Sequence, residues 1–499
     1  MQVSRIPWKR LLAYGLAVAT VGTLLLIVST PAPWSLYGTR VEGYEASIEV
    51  LDDGGPPLLG YAGSANVRAG NGEYVALGVT DDQGTYVVVP LVAHVLGLED
   101  PRAAMEVVFV IAVSLTLLLY PVVFYALFRS WAAAMLAPLM LLAGARIMWG
   151  QDVYWVPALA ALALLPPLLL VDRRWPRGSF LIMLGLLVVA SVASSFRSNA
   201  GLGIAIAAGI VVLARPWSLP RKGLAVAVLA AAYLSVSVVG MNAIRDYRDS
   251  WVGDPQFAEQ ANSTHPVWHT AYIGLGYLPN DYGLRYRDED AIATVKLIEP
   301  GTEYVSDEYE SILRERYLDV ATENPDFFLS VTAQKVLVTI GNAAPLLVLL
   351  ALLVPVAIAA RRRQAARWLL LMVPAALLAS IQPIFAVPFH VYETGLYGAL
   401  GVGVIVLLAW LVAEVEQRLR MRARADGRPF RDLVHLRAVL DACRDLRSPG
   451  SPRGLYSGLA VAAIAVLVFV VRMPIDDRAM DWQASAPSGA ESEVSLEER

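Results

Sequence analysis

Val79-Thr80-Asp81-Asp82-Gln83-Gly84-Thr85-Tyr86 places two adjacent carboxylates directly before an apolar run, Val87 to Leu96. The thirteen residues from Thr85 to Gly97 make a helix of about 20 Å, short of the roughly 30 Å hydrocarbon core of a bilayer. Such a helix lies in the interface or dips into the bilayer, with Pro90 either in its first turn or kinking it. A carboxylate pair at a membrane surface suits chemistry on a lipid-borne substrate. An Asp before an apolar helical run is also a common N-cap, so the rest of the chain must separate the two readings.

The chain has 499 residues, 57% of them hydrophobic and 17% charged, against about 25% charged in an average soluble chain. Its mean hydropathy is +0.53. Apolar runs of spanning length are predicted at 11–29, 103–128, 131–148, 154–171, 179–196, 200–214, 223–243, 340–360, 367–386, 395–413 and 455–472. The fold class is therefore an all-α polytopic membrane protein with about eleven transmembrane helices. The single cysteine, Cys443, excludes an intrachain disulfide framework and a multi-cysteine metal site.

Charge placement gives the expected sidedness. With the N-terminus inside, the inner segments hold 24 Lys+Arg and 7 Asp+Glu, whereas the outer segments 30–102, 244–327 and 472–499 hold 13 and 34. Basic residues concentrate on the cytoplasmic side of membrane proteins, so this pattern puts the N-terminus inside and the C-terminus outside, in a cytoplasmic (inner) membrane. The first span reads as an uncleaved anchor, because its apolar stretch is long and Thr30-Pro31-Ala32-Pro33 is a poor cleavage site.

The expected organisation is a transmembrane module over 1–413, interrupted by outer loops 30–102 and 244–327. A basic cytoplasmic amphipathic segment (414–454) follows, with Leu433, Leu436, Leu440 and Cys443 as its apolar stripe. The last span is 455–472, and 473–499 is an acidic tail of disordered composition. Glu42, Glu45 and Glu49 open the first loop, and Gly, Pro and Asn punctuation makes 53–72 irregular. In the second loop, Tyr309, Ile312, Leu313, Tyr317 and Val320 share one face of a helix from Ser306 to Glu323, stopped by Asn324-Pro325.

The unusual polar residues fall on the outer side: Asp81, Asp82, Asp152, Arg197, His265, His269, His390 and Glu393. An active site facing outward has no cytoplasmic nucleotide-activated donor within reach, whereas a sugar on a polyprenyl phosphate diffuses within the membrane. That chemistry needs one carboxylate to take the acceptor hydroxyl proton and cations to hold the phosphate as its charge grows. His265 and His269 stand four apart, but Pro266 between them favours a loop, so no metal site is expected. Trp268, Tyr272, Tyr277 and Tyr282 read either as a sugar-stacking surface or as a membrane-interface belt.

The layout resembles the GT-C membrane glycosyltransferases over roughly residues 1–420: a first span, a long outer loop with an acidic motif before a surface helix, short-linked spans, then a second large outer loop. The resemblance implies a catalytic carboxylate in the first outer loop, which Asp81 and Asp82 match, with Glu42 and Glu45 as rivals. It implies an acidic residue entering the fourth span, which Asp152 fits. Ser195-Phe196-Arg197-Ser198-Asn199 is similar to the family's arginine motif entering a later span, and Asn324-Pro325-Asp326-Phe327-Phe328 with Lys335 to its juxtamembrane segment.

The expected activity is inverting transfer of a hexose or pentose from a polyprenyl-phosphate carrier to an envelope glycan, lipid or protein, within the membrane lipids and without nucleic acid. Asp81 or Asp82 serves as base. Asp152, Arg197, His265, Trp268, His269, Lys335, His390 and Glu393 form the substrate-binding set. No cofactor is required, and a divalent cation is compatible. A lipid-linked glycan polymerase or ligase and a lipid or glycan transporter are the alternatives.

Overall fold

The computed structural model describes residues 7–426, except 30–33, 35, 37, 62–73, 78–81, 174–177, 253–266 and 305. Asp81, His265 and the segments expected at 427–454, 455–472 and 473–499 lie outside the described residues.

The protein is α-helical and multi-pass. Among the described residues, nine helices are long and apolar enough to cross a bilayer: Trp8–Val28, Pro101–Phe128, Trp131–Met148, Asp152–Val171, Ser179–Phe196, Leu219–Asp249, Pro325–Pro355, Arg367–Phe385 and His390–Ala425. The span expected at 200–214 is a shorter apolar helix, Leu202–Leu213, whose twelve residues rise about 18 Å. Turns occupy Ser198–Gly201, and Arg215-Pro216 follows the helix, where proline disfavours helix in the residue before it. The count of eleven is thus not reached among the described residues.

The chain divides into two compact units. The first comprises Met1–Asn262, Ala343–Ser380 and Glu393–Leu467, and the second Ser263–Asn342, Ile381–Tyr392 and Val468–Arg499.

In the first unit, Trp8–Ser29 packs along Pro101–Phe128. A Cβ on Gly15 would come within 2.4 Å of the Leu118 carbonyl oxygen, so glycine is what lets these helices approach. The span Leu219–Asp249 contains a π-helical stretch, Ser235–Gly240. There Ser191 Oγ accepts hydrogen bonds from the amides of Val236 (3.0 Å) and Ser237 (2.8 Å), stabilising an irregularity of a kind often found near functional sites.

The first loop is more ordered than its punctuation suggests. Gly38–Asp52 is a helix that keeps Val41, Tyr44, Ser47 and Val50 buried and Glu42, Glu45 and Glu49 exposed. A two-stranded antiparallel hairpin pairs Leu59 with Ala76 and Tyr61 with Tyr74. The short helix runs Gln83–Leu96, and Gly97 closes it at φ +64°, a left-handed cap favoured by glycine. Pro90 sits inside this helix rather than in its first turn.

In the second unit, helices Val267–Gly274, Asp288–Ile298 and Asp307–Glu323 close over Tyr272, Ile273, Ala291, Val295, Tyr309 and Leu313. Ser306 Oγ caps the third by accepting from the Tyr309 amide at 3.1 Å. Asn324 then caps the next helix, which begins at Pro325.

Candidate active site

Asp82 occupies the N-cap position of Gln83–Leu96, but its side chain makes no capping hydrogen bond. Its backbone is left-handed, at φ 59° and ψ 31°. The turn is closed without the carboxylate: the Thr85 hydroxyl donates to the Asp82 carbonyl at 2.7 Å, and the Tyr44 hydroxyl donates to Thr85 Oγ1 at 2.9 Å. Burial raises the Tyr44 phenol above its usual range, so it remains a donor. The Asp82 carboxylate is therefore released from helix capping.

Two arginines engage it. Arg40 Nη1 and Nη2 both lie 3.2 Å from Asp82 Oδ2, and Arg197 Nη1 lies 2.9 Å from the same oxygen. Among the described residues, no hydrogen bond falls on Oδ1. Arg40 also reaches a second carboxylate, with Nε 3.3 Å from Asp152 Oδ2. The Arg197 guanidinium stacks over the Tyr154 ring at 4.8 Å. The Asp82 side chain is 1% exposed, and both arginine side chains are 11% exposed. Burial pulls the Arg40 guanidinium downward, but the charges of Asp82 and Asp152, with Tyr44 and Tyr86, outweigh it and hold Arg40 above its usual range. The cation is thus permanent.

Asp152 shares the unusual backbone, at φ 39°. Among the described residues, four non-glycine positions have positive φ, and two of them are these carboxylates. Aspartate tolerates the left-handed region better than most residues, and such conformations cluster at functional sites.

Around this core, Gln83 Oε1 accepts from Arg245 Nε at 2.7 Å and from its Nη2. Gly84 presses on the Ser195 backbone: an added Cβ would stand 2.7 Å from both C and O of Ser195. Glycine here lets the acidic turn meet the segment that delivers Arg197.

The structure therefore brings together Asp82, Asp152 and Arg197, all of them site residues in the sequence analysis, and adds Arg40, Tyr44, Gln83 and Arg245. Arg40 left one signal: it is one of three basic residues among ten acidic ones in 30–102. Glu42 and Glu45 face away on the exposed side of the Gly38–Asp52 helix.

The remaining candidates make contacts of their own. Glu393, in the first unit, is fully buried and accepts from the Tyr397 hydroxyl. His269 is fully buried in the second unit, its Nδ1 2.8 Å from the Tyr309 hydroxyl and its Nε2 3.0 Å from Asp288 Oδ1. Both ring nitrogens of His269 therefore have partners within the second unit. Trp268 is half-buried against Tyr317, with ring centroids 5.6 Å apart. Tyr272 and Tyr277 are buried and Tyr282 is exposed, so the aromatic group expected to stack on sugar is mainly the core of this unit. Lys335 is buried, with Nζ donating to the Phe385 carbonyl at 3.2 Å. His390 is exposed. No group of three or more His, Cys, Asp or Glu residues that could hold a metal occurs among the described residues.

No protein-family model and no curated protein sequence matches the chain. Among solved structures, it is similar to the crystal structure of ArnT from Cupriavidus metallidurans bound to undecaprenyl phosphate. The TM-score is 0.39 at 14% identity, covering 94% of this chain and 74% of that chain.

Proposed function

We propose that the protein is a membrane glycosyltransferase that moves a sugar from a polyprenyl-phosphate carrier to an acceptor hydroxyl, with Asp82 as general base. The observation that carries this reading is a buried carboxylate, excluded from capping its own helix, held by Arg40 and Arg197 at the mouth of a short apolar helix.

Asp82 Oδ1 takes the acceptor hydroxyl proton as the acceptor oxygen forms a bond to the anomeric carbon. The bond from that carbon to the phosphate oxygen breaks, and the phosphate leaves with the electron pair. Donor phosphate and Asp82 compete for the same guanidinium groups, since arginine pairs well with carboxylate and phosphate alike. A phosphate that draws Arg197 toward itself frees the carboxylate to accept a proton and neutralises the developing leaving-group charge. Asp152 keeps Arg40 in place throughout.

The test is turnover of a polyprenyl-phosphate sugar by the full chain in lipid nanodiscs. Asp82→Asn preserves shape and should lower kcat by about 10²- to 10⁴-fold, the usual worth of a general base. Asp81→Asn, its neighbour in sequence, should stay active. Wild-type turnover by Asp82→Asn removes the assignment. Comparing lipid-linked sugars and envelope glycans between a deletion strain and its parent identifies sugar and acceptor.

A further inference from the structure

Four aromatic rings form a row on the first unit. Tyr61 and Tyr74 face each other across the hairpin, with ring centroids 5.4 Å apart. Tyr74 meets Trp251 edge-on at 5.5 Å, and Trp251 meets Tyr247 at 6.4 Å. Tyr247 is 55% exposed and Trp251 36% exposed. At the hairpin end, the Tyr61 hydroxyl donates to Asp53.

The row is tied to the candidate active site through one helix. Tyr247 lies two residues beyond Arg245, whose guanidinium holds Gln83, the residue after Asp82. We infer that this row is a glycan-binding platform that guides an oligosaccharide acceptor toward Asp82.

Two features favour a glycan. The rings offer apolar surface interleaved with phenol hydroxyls and a carboxylate, which matches sugars, whose rings present C–H faces rimmed by hydroxyls. The row also leaves the span and crosses onto a hairpin, and Tyr247 sits within Arg245-Asp246-Tyr247-Arg248-Asp249, a stretch too charged for hydrocarbon. A membrane-interface belt is the competing occupant, since aromatic residues gather at headgroup depth. The inference rests on the transferase reading only for the acceptor's role, because binding is measured without turnover.

The test uses the full chain in nanodiscs and a set of neutral hexasaccharides (arabinan, galactan, mannan and glucan), with binding followed by saturation-transfer NMR at millimolar glycan. At least one should bind. Trp251→Ala and the exposed-site variant Tyr247→Ser should each weaken it by about two- to tenfold, the worth of one aromatic contact. Asp82→Asn should bind as wild type does. Failure of all four glycans, or binding unchanged in both ring variants, overturns the platform. A second measurement tests the competing occupant: the fluorescence difference between wild type and Trp251→Phe, with lipids brominated near the headgroup. Quenching of that difference places Trp251 in the bilayer and overturns the inference; absence of quenching supports it. Active Asp82→Asn alongside intact glycan binding sinks the base assignment and leaves the platform standing.

Discussion

Gly84→Ala tests whether the acidic turn must sit where it does. The new Cβ would lie 2.5 Å from Ser195 Oγ and 2.7 Å from Ser195 C and O, whereas ordinary contact begins near 3.4 Å. The hydroxyl can rotate, but the backbone cannot, so the turn and the Ser195 segment must part by 0.3 Å to clear 3.0 Å, and relaxing to ordinary contact at 3.4 Å takes a shift of 0.7 Å. Asp82 lies two residues before Gly84 and Arg197 two residues after Ser195. Passed on in full, that shift stretches the 2.9 Å contact between them past hydrogen-bond range. Misplacement of about 1 Å at reacting groups costs on the order of 10²-fold in rate. Stability moves less: overpacking costs about 1–3 kcal/mol, partly offset by alanine's advantage of about 1 kcal/mol over glycine in a helix. The assay is kcat on a polyprenyl-phosphate sugar beside thermal melting, with Gly185→Ala, which meets nothing within 4 Å, as the control. Ser195→Ala should not rescue the variant, because the obstructing C and O atoms remain. Gly84→Ala turning over at the wild-type rate, or rescued by Ser195→Ala, refutes the backbone argument.

Further outcomes follow from other contacts. Arg40→Met strips a cation from two buried carboxylates and should cost about 3–5 kcal/mol, read as a lower melting point. Arg40→Lys should recover only part of that, since one ammonium cannot reproduce the fork that meets both Asp82 and Asp152. Glu416 accepts from Ser130 Oγ and from the Ala132 amide, so Glu416→Ala should destabilise the first unit by about 1–3 kcal/mol without changing the KM for donor. In the second unit, burial raises the carboxyls of Asp290 and Glu310 above their usual range. A raised carboxyl favours the folded state when protonated, a contribution present below the ordinary carboxylate range and lost as pH rises through the raised values. Hydrogen-exchange protection in 288–323, taken relative to the intrinsic rate at each pH, should therefore rise on acidification toward that range, and Asp290→Asn should flatten the dependence.

Nine of the eleven expected spans were legible because a lipid-facing helix must be apolar along its whole length, and no tertiary partner substitutes for that. Asp82, Asp152 and Arg197 were legible because charges at span ends are rare enough for position alone to single them out. Arg40 was not, because its role depends on a fold-dependent meeting with residues 42 and 112 positions away. Its helix was obscured by Glu42, Glu45 and Glu49, which read as loop although they line the exposed face. The burial of His269 was hidden for the same reason: its partners Tyr309 and Asp288 lie 40 and 19 positions away. The row Tyr61–Tyr74–Trp251–Tyr247 was invisible for a geometric reason, since its halves lie on segments more than 170 residues apart. Trp268 and Tyr272, close in sequence, drew attention instead.

The arrangement around Asp82 is hard to account for as scaffolding. Apolar side chains of similar volume in place of a buried ion network are often neutral or stabilising by about 1–4 kcal/mol. Left-handed backbone at non-glycine residues adds about 1–3 kcal/mol at each, and both site carboxylates have it. Thr85 and Tyr44 already hold the turn through the Asp82 carbonyl, so the carboxylate is not needed to start the helix. If the network served as scaffold alone, replacing all four charges together (Asp82→Leu, Asp152→Asn, Arg40→Met and Arg197→Met) would leave turnover intact. If it serves the chemistry proposed, the quadruple variant, which leaves none of the four charges buried alone, melts near the wild-type temperature and transfers no sugar. A quadruple variant that retains turnover returns Asp82 to the scaffold.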